Sequence, residues 1–197
     1  MDTYRTFVAI ELPHELRTSV IEHINTLRRE VPNVRASWLR EENLHLTLKF
    51  LGNVSIKHIA DVSAAVARAT HLIEAFDLIL SGCGAFPPRG KPNVLWIGVE
   101  SRTSSLLDLH NLIERELATI GFAAEQRSFH PHLTIARLRN RHGRQLSEFH
   151  QRLGFAPQPF HVSEVEVFRS ELLRDGSRHT AISRHELSKI NRQTERV

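Results

Sequence analysis

Apolar side chains recur along the chain with two spacings, and each spacing predicts a different kind of element. Strict alternation of apolar and polar positions predicts a half-buried strand, whereas apolar residues three or four positions apart predict an amphipathic helix. The segment 5–12 predicts a strand, with Phe7 and Ala9 on one face and Val8 and Ile10 on the other. A helical stripe follows it, so the chain is predicted to open with a strand and a helix.

Continued along the chain, the two spacings predict the order β-α-β-α-β-β-α-β-α-β-β. Each half contains a helix that leads into a strand with the letters His-Leu-Thr, followed by another helix and further strand. A duplicated pattern of this kind is typical of an α+β fold and differs from the strict alternation of a doubly wound sheet. We predict a single domain over residues 1–188, made of two pseudo-symmetric lobes that can exchange strands, with a sequence midpoint near 90 and a flexible tail over 189–197.

The His-Leu-Thr pattern is the most informative feature of the sequence. The letters HLTL cover residues 45–48, and the letters HLTI cover residues 132–135. Because side chains alternate along a strand, the His and the Thr of each copy share one face, about 6.6 to 7 Å apart, while the aliphatic residues point to the core. Each copy therefore presents one titratable ring and one hydroxyl donor on the same face.

Two imidazoles and two hydroxyls around one anion are suited to acid–base chemistry at phosphorus. An ordinary imidazole has a pKa of about 6.5, so near neutral pH it can act in either protonation state. One ring would take a proton from water and the other would give a proton to the departing oxygen. Such a site requires no metal, and a strained cyclic phosphate is a favourable substrate for it.

The histidines also have interpretations other than catalysis. A single His on a strand is commonly a surface or hydrogen-bonded core residue, but its recurrence in the same pattern on two strands favours catalysis. His130 and His132 form an alternative metal pair, although no Cys, Asp or Glu lies in that strand and Pro131 disturbs its start. The histidines on predicted helices are expected to be solvated: His14, His23, His58 and His71.

Composition narrows the class of protein. With 41% hydrophobic and 24% charged residues, the chain resembles an ordinary soluble globular protein, and no run approaches the roughly 18 apolar residues of a membrane helix. The start lacks the positive charge of a signal peptide, so we expect a cytoplasmic protein. The single cysteine, Cys83, fits a reducing compartment and is expected to act as a small buried hydrophobe. A net charge of +4, supplied mostly by arginine, is compatible with a polyanionic partner.

The two motifs and their flanks resemble the 2H phosphoesterase superfamily, and within it the RNA 2′,3′-cyclic phosphodiesterases, also described as 2′-5′ RNA ligases. The resemblance covers residues 5–187 in four segments. These are RTFVAIELP, NLHLTLKFLG preceded by Trp38, FHPHLTIAR, and SELLRDGSRHT. One departure concerns His179, where relatives commonly have Tyr.

The resemblance implies a bilobal fold of duplicated antiparallel sheets flanked by helices, related by a pseudo-twofold axis, with both motifs facing a central basic cleft. It implies hydrolysis of a 2′,3′-cyclic phosphate at an RNA or oligonucleotide end to a 2′-phosphomonoester, without a metal or other cofactor. His45 would be the general acid and His132 the general base, while Thr47 and Thr134 would bind phosphate oxygens. In reverse, the same groups would join RNA ends. We expect a monomer without a membrane partner.

Three further residues are candidate substrate contacts. Arg137 could bind phosphate, although alternation places it on the other face of the strand from Thr134. A bulge between them would be needed to bring it to the same face. Phe7 could stack on a base or belong to the core, and Lys49, expected on the face of His45, could extend the positive groove or be solvated. Two other functions stay open, a phosphodiesterase for 2′-5′ linked oligonucleotides or other small cyclic phosphates, and a non-catalytic RNA-binding module.

Overall fold

The structure is a computed structural model that describes residues 2–139, 143–173 and 176–189, so the predicted tail lies outside the described residues except for Lys189. The helices are α1 His14–Glu30, α2 Ile59–Thr70, α3 Ser105–Ala118 and α4 Gly143–Leu153. The strands are β1 Thr3–Glu11, β2 Ala36–Trp38, β3 His45–Ser55, β4 Phe76–Phe86, β5 Val94–Ser101, β6 His132–Leu138, β7 Gln158–Val162, β8 Glu164–Leu173 and β9 Gly176–Glu186. None of the described helices is long and apolar enough to cross a membrane.

The strands form two antiparallel sheets, which confirms the predicted α+β class. The first sheet has the order β3-β1-β8-β9 and the second has the order β2-β6-β5-β4-β7. Strands β8 and β9 come from the C-terminal half of the chain and β2 from the N-terminal half, so each sheet contains strands from both halves. In each sheet a motif strand, β3 or β6, is followed by three further strands in the same antiparallel arrangement.

Two elements differ from the predicted order. The three-residue strand β2 was not predicted, because so short a segment shows no alternation. The strand predicted after the fourth helix is two strands in the structure. They divide at Ser163 into β7, which joins the second sheet, and β8, which joins the first. The chain therefore passes from one sheet to the other at this single residue.

Helices cover both sheets and share one core with them. Helices α2 and α3 contact strands of the first sheet, whereas α4 contacts β4 of the second sheet and α1 contacts α4. Val8 and Ile10 of β1 belong to the same buried cluster as Leu95 and Ile97 of β5. Each such side chain contributes about 1.5 to 3 kcal/mol on burial, so the two sheets are held together by a continuous apolar interior.

His23 and Cys83, for which no functional role was predicted, lie together in this fold. The expectation that His23 is solvated is wrong, because the side chain is 9% exposed and packs beside His150 of α4. Burial and the neighbouring His150 lower the pKa of His23 to about 4. Cys83 lies against the same histidine and is only partly buried, and its burial raises the pKa of the thiol to about 12.

Candidate active site

A β-bulge in β3 decides which side chains accompany the first motif. The pairing of β3 with β1 passes from Thr47 to Lys49, so Leu48 is an extra residue in the strand. Leu48 and Lys49 are consequently both buried, at 3% and 6% exposure, and the alternation of faces is reversed beyond them. Phe50, which strict alternation from His45 would place on the core face, is instead 65% exposed.

A second bulge stands at the equivalent place in β6. The pairing with β5 passes from Thr134 to Ala136, which leaves Ile135 as the extra residue. Ile135 and Ala136 are both fully buried, and Arg137 is exposed. The bulge thereby turns Arg137 toward the face of Thr134, as its candidate role requires.

The two motif strands contact each other across the sheets, with Cα atoms of β3 and β6 within 8 Å. In both strands the motif His and Thr are half-buried, flanked by fully or nearly fully buried aliphatic residues. Within the described ranges neither the Thr47 nor the Thr134 hydroxyl is hydrogen-bonded to another protein group. Both hydroxyls are therefore available to donate to a bound anion.

His45 lies in an aromatic environment built by the first sheet. Its ring stacks on Phe7 at 4.7 Å between centroids and meets His179 edge-on at 5.1 Å. Phe168 packs beside both rings, 5.2 Å from Phe7 and 6.2 Å from His45. Burial, and next the charge of His179, lower the pKa of His45 to about 4, against a backbone hydrogen bond with Asn43 that raises it.

His132 is oriented by the backbone just before its own strand. Its Nδ1 lies 2.7 Å from the carbonyl oxygen of His130, and because a carbonyl can only accept, Nδ1 carries the hydrogen. In the neutral ring the lone pair is then on Nε2. Phe86 meets the ring edge-on at 5.0 Å. Burial lowers the pKa of His132, as do the charges of His130 and Arg137, while the carbonyl of His130 raises it.

The structure corrects two of the candidate contacts. The expectation that Lys49 shares the face of His45 is wrong, because the bulge turns Lys49 inward to an ion pair with Glu114, 2.6 Å from Nζ to Oε2. Phe7 is on the predicted face, but its ring is 2% exposed and supports His45. Direct stacking of Phe7 on a base is therefore excluded by its burial.

Sequence reasoning missed two side chains of this face. Phe50 lies 5.9 Å from the ring of Phe7 and is exposed, and only knowledge of the bulge could have placed it there. His179 was noted for its departure from relatives, but its contact with His45 depends on the pairing of β8 with β9. Alternation within a single strand carries no information about either contact.

Two half-buried imidazoles, each with an adjacent free hydroxyl, lie on equivalent bulged strands, an arrangement that is chemically suited to acid–base reactions of a bound anion. The chain belongs to the 2′-5′ RNA ligase superfamily, whose sequence model matches residues 16–173. A Thermotoga maritima protein named RNA 2′,3′-cyclic phosphodiesterase is 31% identical over 172 residues, covering 87% of this chain and 89% of the relative. A Methanothermobacter thermautotrophicus protein of the same name is 33% identical over 178 residues, covering 89% and 95%.

Solved structures agree with this assignment. Escherichia coli LigT complexed with 3′-AMP has a TM-score of 0.75 and 27% identity, with 95% of this chain and 99% of that chain covered. A Thermus thermophilus protein has a TM-score of 0.76 and 25% identity, with 93% and 97% covered. The likeness therefore extends over both sheets.

Proposed function

We propose that the protein hydrolyses RNA 2′,3′-cyclic phosphate ends to 2′-phosphomonoesters by a two-histidine mechanism that needs no metal. The observation that carries this proposal is the pair of equivalent bulged strands, in contact with each other, each with a half-buried His and a free Thr hydroxyl. The names of the Thermotoga and Methanothermobacter relatives support the substrate class.

In the proposed reaction water attacks phosphorus while the bond to the 3′ oxygen breaks. The Nε2 lone pair of His132 accepts the proton from water, because Nδ1 is occupied by the carbonyl of His130. Protonated His45 gives its proton to the 3′ oxygen as that oxygen leaves. His132 takes up one proton and His45 releases one, so the two rings exchange protonation states in each turnover. Proton exchange with solvent then restores the starting state of both rings.

The lowered pKa of His45 is compatible with an acid role once the substrate's charge is included. A phosphodiester anion about 4 Å from the ring contributes about 4 kcal/mol at an effective dielectric constant near 20. That energy corresponds to about three pKa units and offsets the shift to about 4 that burial and His179 cause. Substrate binding would therefore bring His45 back to the neutral range in which it can donate.

The remaining contacts follow from the faces of the bulged strands. Thr47 and Thr134 donate to the non-bridging phosphate oxygens, each hydrogen bond to the charged group contributing about 1.5 to 3 kcal/mol. Arg137 binds the anion from the side of His132, since its charge acts on that ring. Exposed Phe50 provides the surface on which a base stacks.

The proposal has consequences for assembly and for ligation. One chain carries both histidines and both threonines, so we propose that the enzyme acts as a monomer. We also propose that it acts in the cytoplasm, because its single cysteine fits a reducing compartment. The same groups, with a 5′-hydroxyl of RNA in place of water as the nucleophile, would open the 2′,3′-cyclic phosphate to a 2′-5′ linkage and a free 3′-hydroxyl. The family designation 2′-5′ RNA ligase supports this joining activity.

The test is product analysis on an oligonucleotide with a 2′,3′-cyclic phosphate end. Wild type is expected to give the 2′-phosphate in the presence of a chelator. His45→Ala and His132→Ala are each expected to lose at least about 100-fold in kcat/KM. His161→Ala, which alters an exposed histidine on β7, is the matched control and should retain wild-type activity.

Four outcomes would contradict the proposal. A 3′-phosphate product would assign the wrong leaving oxygen, and full activity in either motif variant would remove that ring from the mechanism. Binding of the oligonucleotide without turnover, unchanged in His45→Ala, would instead favour an RNA-binding module. Faster turnover of 2′-5′ linked adenylates than of the cyclic end would favour the other phosphodiesterase activity.

A further inference from the structure

Three metal-ligating side chains converge behind the second sheet, away from the motif face. His23 of α1, Cys83 of β4 and His150 of α4 each offer one donor atom, and these atoms all lie within 4.8 Å of one another. His23 and His150 are buried, at 9% and 0% exposure, whereas Cys83 is partly exposed. The cluster unites residues that are far apart in the sequence.

The hydrogen bonds of this cluster fix the tautomers of both rings. Nε2 of His150 lies 3.0 Å from the carbonyl oxygen of Trp96, so Nε2 carries the hydrogen and Nδ1 carries the lone pair. Nε2 of His23 lies 3.0 Å from that Nδ1 and donates to it. The Cys83 sulfur lies 3.9 Å from the same Nε2, which is long for a hydrogen bond.

The spacing of the donor atoms suits a tetrahedral metal ion. Zn–N bonds of about 2.05 Å and a Zn–S bond of about 2.3 Å place the two nitrogens about 3.3 Å apart and the sulfur about 3.6 Å from each. The observed separations of 3.0 Å between the nitrogens and 3.9 Å from sulfur to Nε2 of His23 differ from these by about 0.3 Å. The third separation, from sulfur to Nδ1 of His150, lies within 4.8 Å, so a movement of the Cys83 sulfur of at most about 1.2 Å would complete the site.

We propose that His23, Cys83 and His150 form a binding site for one thiophilic metal ion of the zinc class, with a fourth position open to water. On binding, the Cys83 thiol releases its proton and the thiolate bonds to the metal. The Nε2 hydrogen of His23 moves to Nδ1, which frees the Nε2 lone pair. His150 binds through the Nδ1 lone pair that it already has.

Trp96 gives the site a supporting contact outside the ligands. A carbonyl that accepts from the second nitrogen of a metal-bound His fixes the orientation of the ring and strengthens the ligand. The partly exposed Cys83 provides access from solvent. Since none of the three side chains lies on a motif strand, this inference is independent of the proposed function, and metal-free enzyme should hydrolyse its substrate normally.

Cobalt titration of the purified full chain tests the site directly. Because Cys83 is the only cysteine, a thiolate-to-Co²⁺ charge-transfer band in the near ultraviolet can arise from this residue alone. We expect one Co²⁺ per chain, a d–d spectrum of tetrahedral form, and displacement of the band by Zn²⁺. Absence of the charge-transfer band with folded wild-type protein would overturn the proposal.

Three variants separate the site from general binding by histidines. Cys83→Ser is expected to abolish the band while retaining phosphodiesterase activity. His23→Gln is expected to weaken Co²⁺ binding at least about tenfold, since even loss of a ligand's supporting partner typically costs about 10- to 100-fold. His58→Gln, an exposed control, should bind as wild type does. Equal affinity in His23→Gln and wild type would refute the assignment.

Thermal unfolding gives an independent measurement. At free Zn²⁺ about 100 times above Kd, the wild-type Tm should rise by about 5 to 11 °C, because only the folded chain holds the three ligands together. The shift should disappear in His23→Gln, which leaves the cysteine intact and keeps the test available if the Cys83→Ser chain does not fold. An equal rise in Tm in Cys83→Ser, His23→Gln and wild type would place the metal elsewhere and refute the assignment.

Discussion

The buried ion pair between Lys49 and Glu114 links the segments that carry the two motifs. Nζ of Lys49 lies 2.6 Å from Oε2 of Glu114 and also donates to the carbonyl of Ala123 at 2.9 Å. The same carboxylate oxygen accepts from the backbone N–H of Glu125 at 3.0 Å. Lys49 follows the first motif in β3, and residues 123–125 precede the second motif, so one pair of charges anchors both.

Replacing Lys49 by Met isolates the effect of the charge, because Met keeps an apolar stem of similar length. Both side chains are largely buried, at 5% and 12% exposure, so the Glu114 carboxylate would be left without its cation. Removal of one partner from a buried pair typically costs about 3 to 5 kcal/mol. That loss is a large share of a typical unfolding free energy of about 5 to 15 kcal/mol.

Urea-induced unfolding measures this loss, and a double variant measures the coupling. Lys49→Met combined with Glu114→Gln should recover more than about 1 kcal/mol, because Gln removes the unpaired charge and still accepts from Glu125. Arg144→Met is the control at an exposed pair, with side chains 81% and 62% exposed, and should cost less than about 1 kcal/mol.

Steady-state kinetics then distinguish a structural role of Lys49 from a role in substrate binding. Folded Lys49→Met should keep the KM of wild type, since the ammonium faces Glu114. A stability equal to that of Arg144→Met, together with a raised KM for the cyclic phosphate, would show that Lys49 contacts substrate and would refute the inward orientation.

Three further predictions concern the motif face and its support. The pKa of His45 is lowered from 6.5 to about 4, so the unfolded chain binds more protons between these values, and unfolding free energy should fall by about 3 kcal/mol as pH is lowered through that window. Urea titrations should show a shallower fall in His45→Phe, and an equal slope would contradict the shift. Phe50→Ala should raise KM about 5- to 150-fold, with a Tm near wild type because the ring is 65% exposed; an unchanged KM would exclude base stacking. Gly84→Ala should cost about 1 to 3 kcal/mol and alter tryptophan fluorescence, since a Cβ there would lie 2.0 Å from the Trp96 ring; a neutral result would show that the ring can move freely.

The sequence was sufficient for features that depend on local alternation. Phe7 and Ala9 form one cluster with Phe168, and Val8 and Ile10 belong to the main core, as the period of two predicted. That prediction succeeds because one face of β1 packs on the interior and residues two apart meet the same environment. The paired His and Thr positions follow from the same rule.

Alternation failed where the strand gains a residue. A bulge at Leu48 exchanges the faces of Lys49 and Phe50, and no feature of the letters HLTLKF specifies it. The signal lies in the partner strand, whose register with β3 is fixed by tertiary packing. The second bulge had been recognised only as a condition for Arg137 to reach the phosphate, and the pairing of β6 with β5 supplies it.

Contacts between distant segments were also outside the reach of periodicity. His23 was expected to be solvated because a helical position alone does not reveal what packs over it. Its partners Cys83 and His150 are 60 and 127 residues away in the chain. The exchange of β2, β8 and β9 between sheets has the same origin, since strand pairing depends on which edges meet and not on local pattern.

The two motif strands have equivalent backbones, but the side chains around their histidines differ. Hydrolysis needs one acid and one base, whereas two equivalent bulged strands present their imidazoles in equivalent positions. The asymmetry enters at the second residue after each bulge and in the ring environment. Phe50 and His179 accompany His45, while Arg137 accompanies His132. A fixed cation disfavours a protonated His132, which suits a base. In the proposed mechanism His45, which lies among aromatic rings, would gain its proton when the anionic substrate binds, so substrate binding itself would assign the acid.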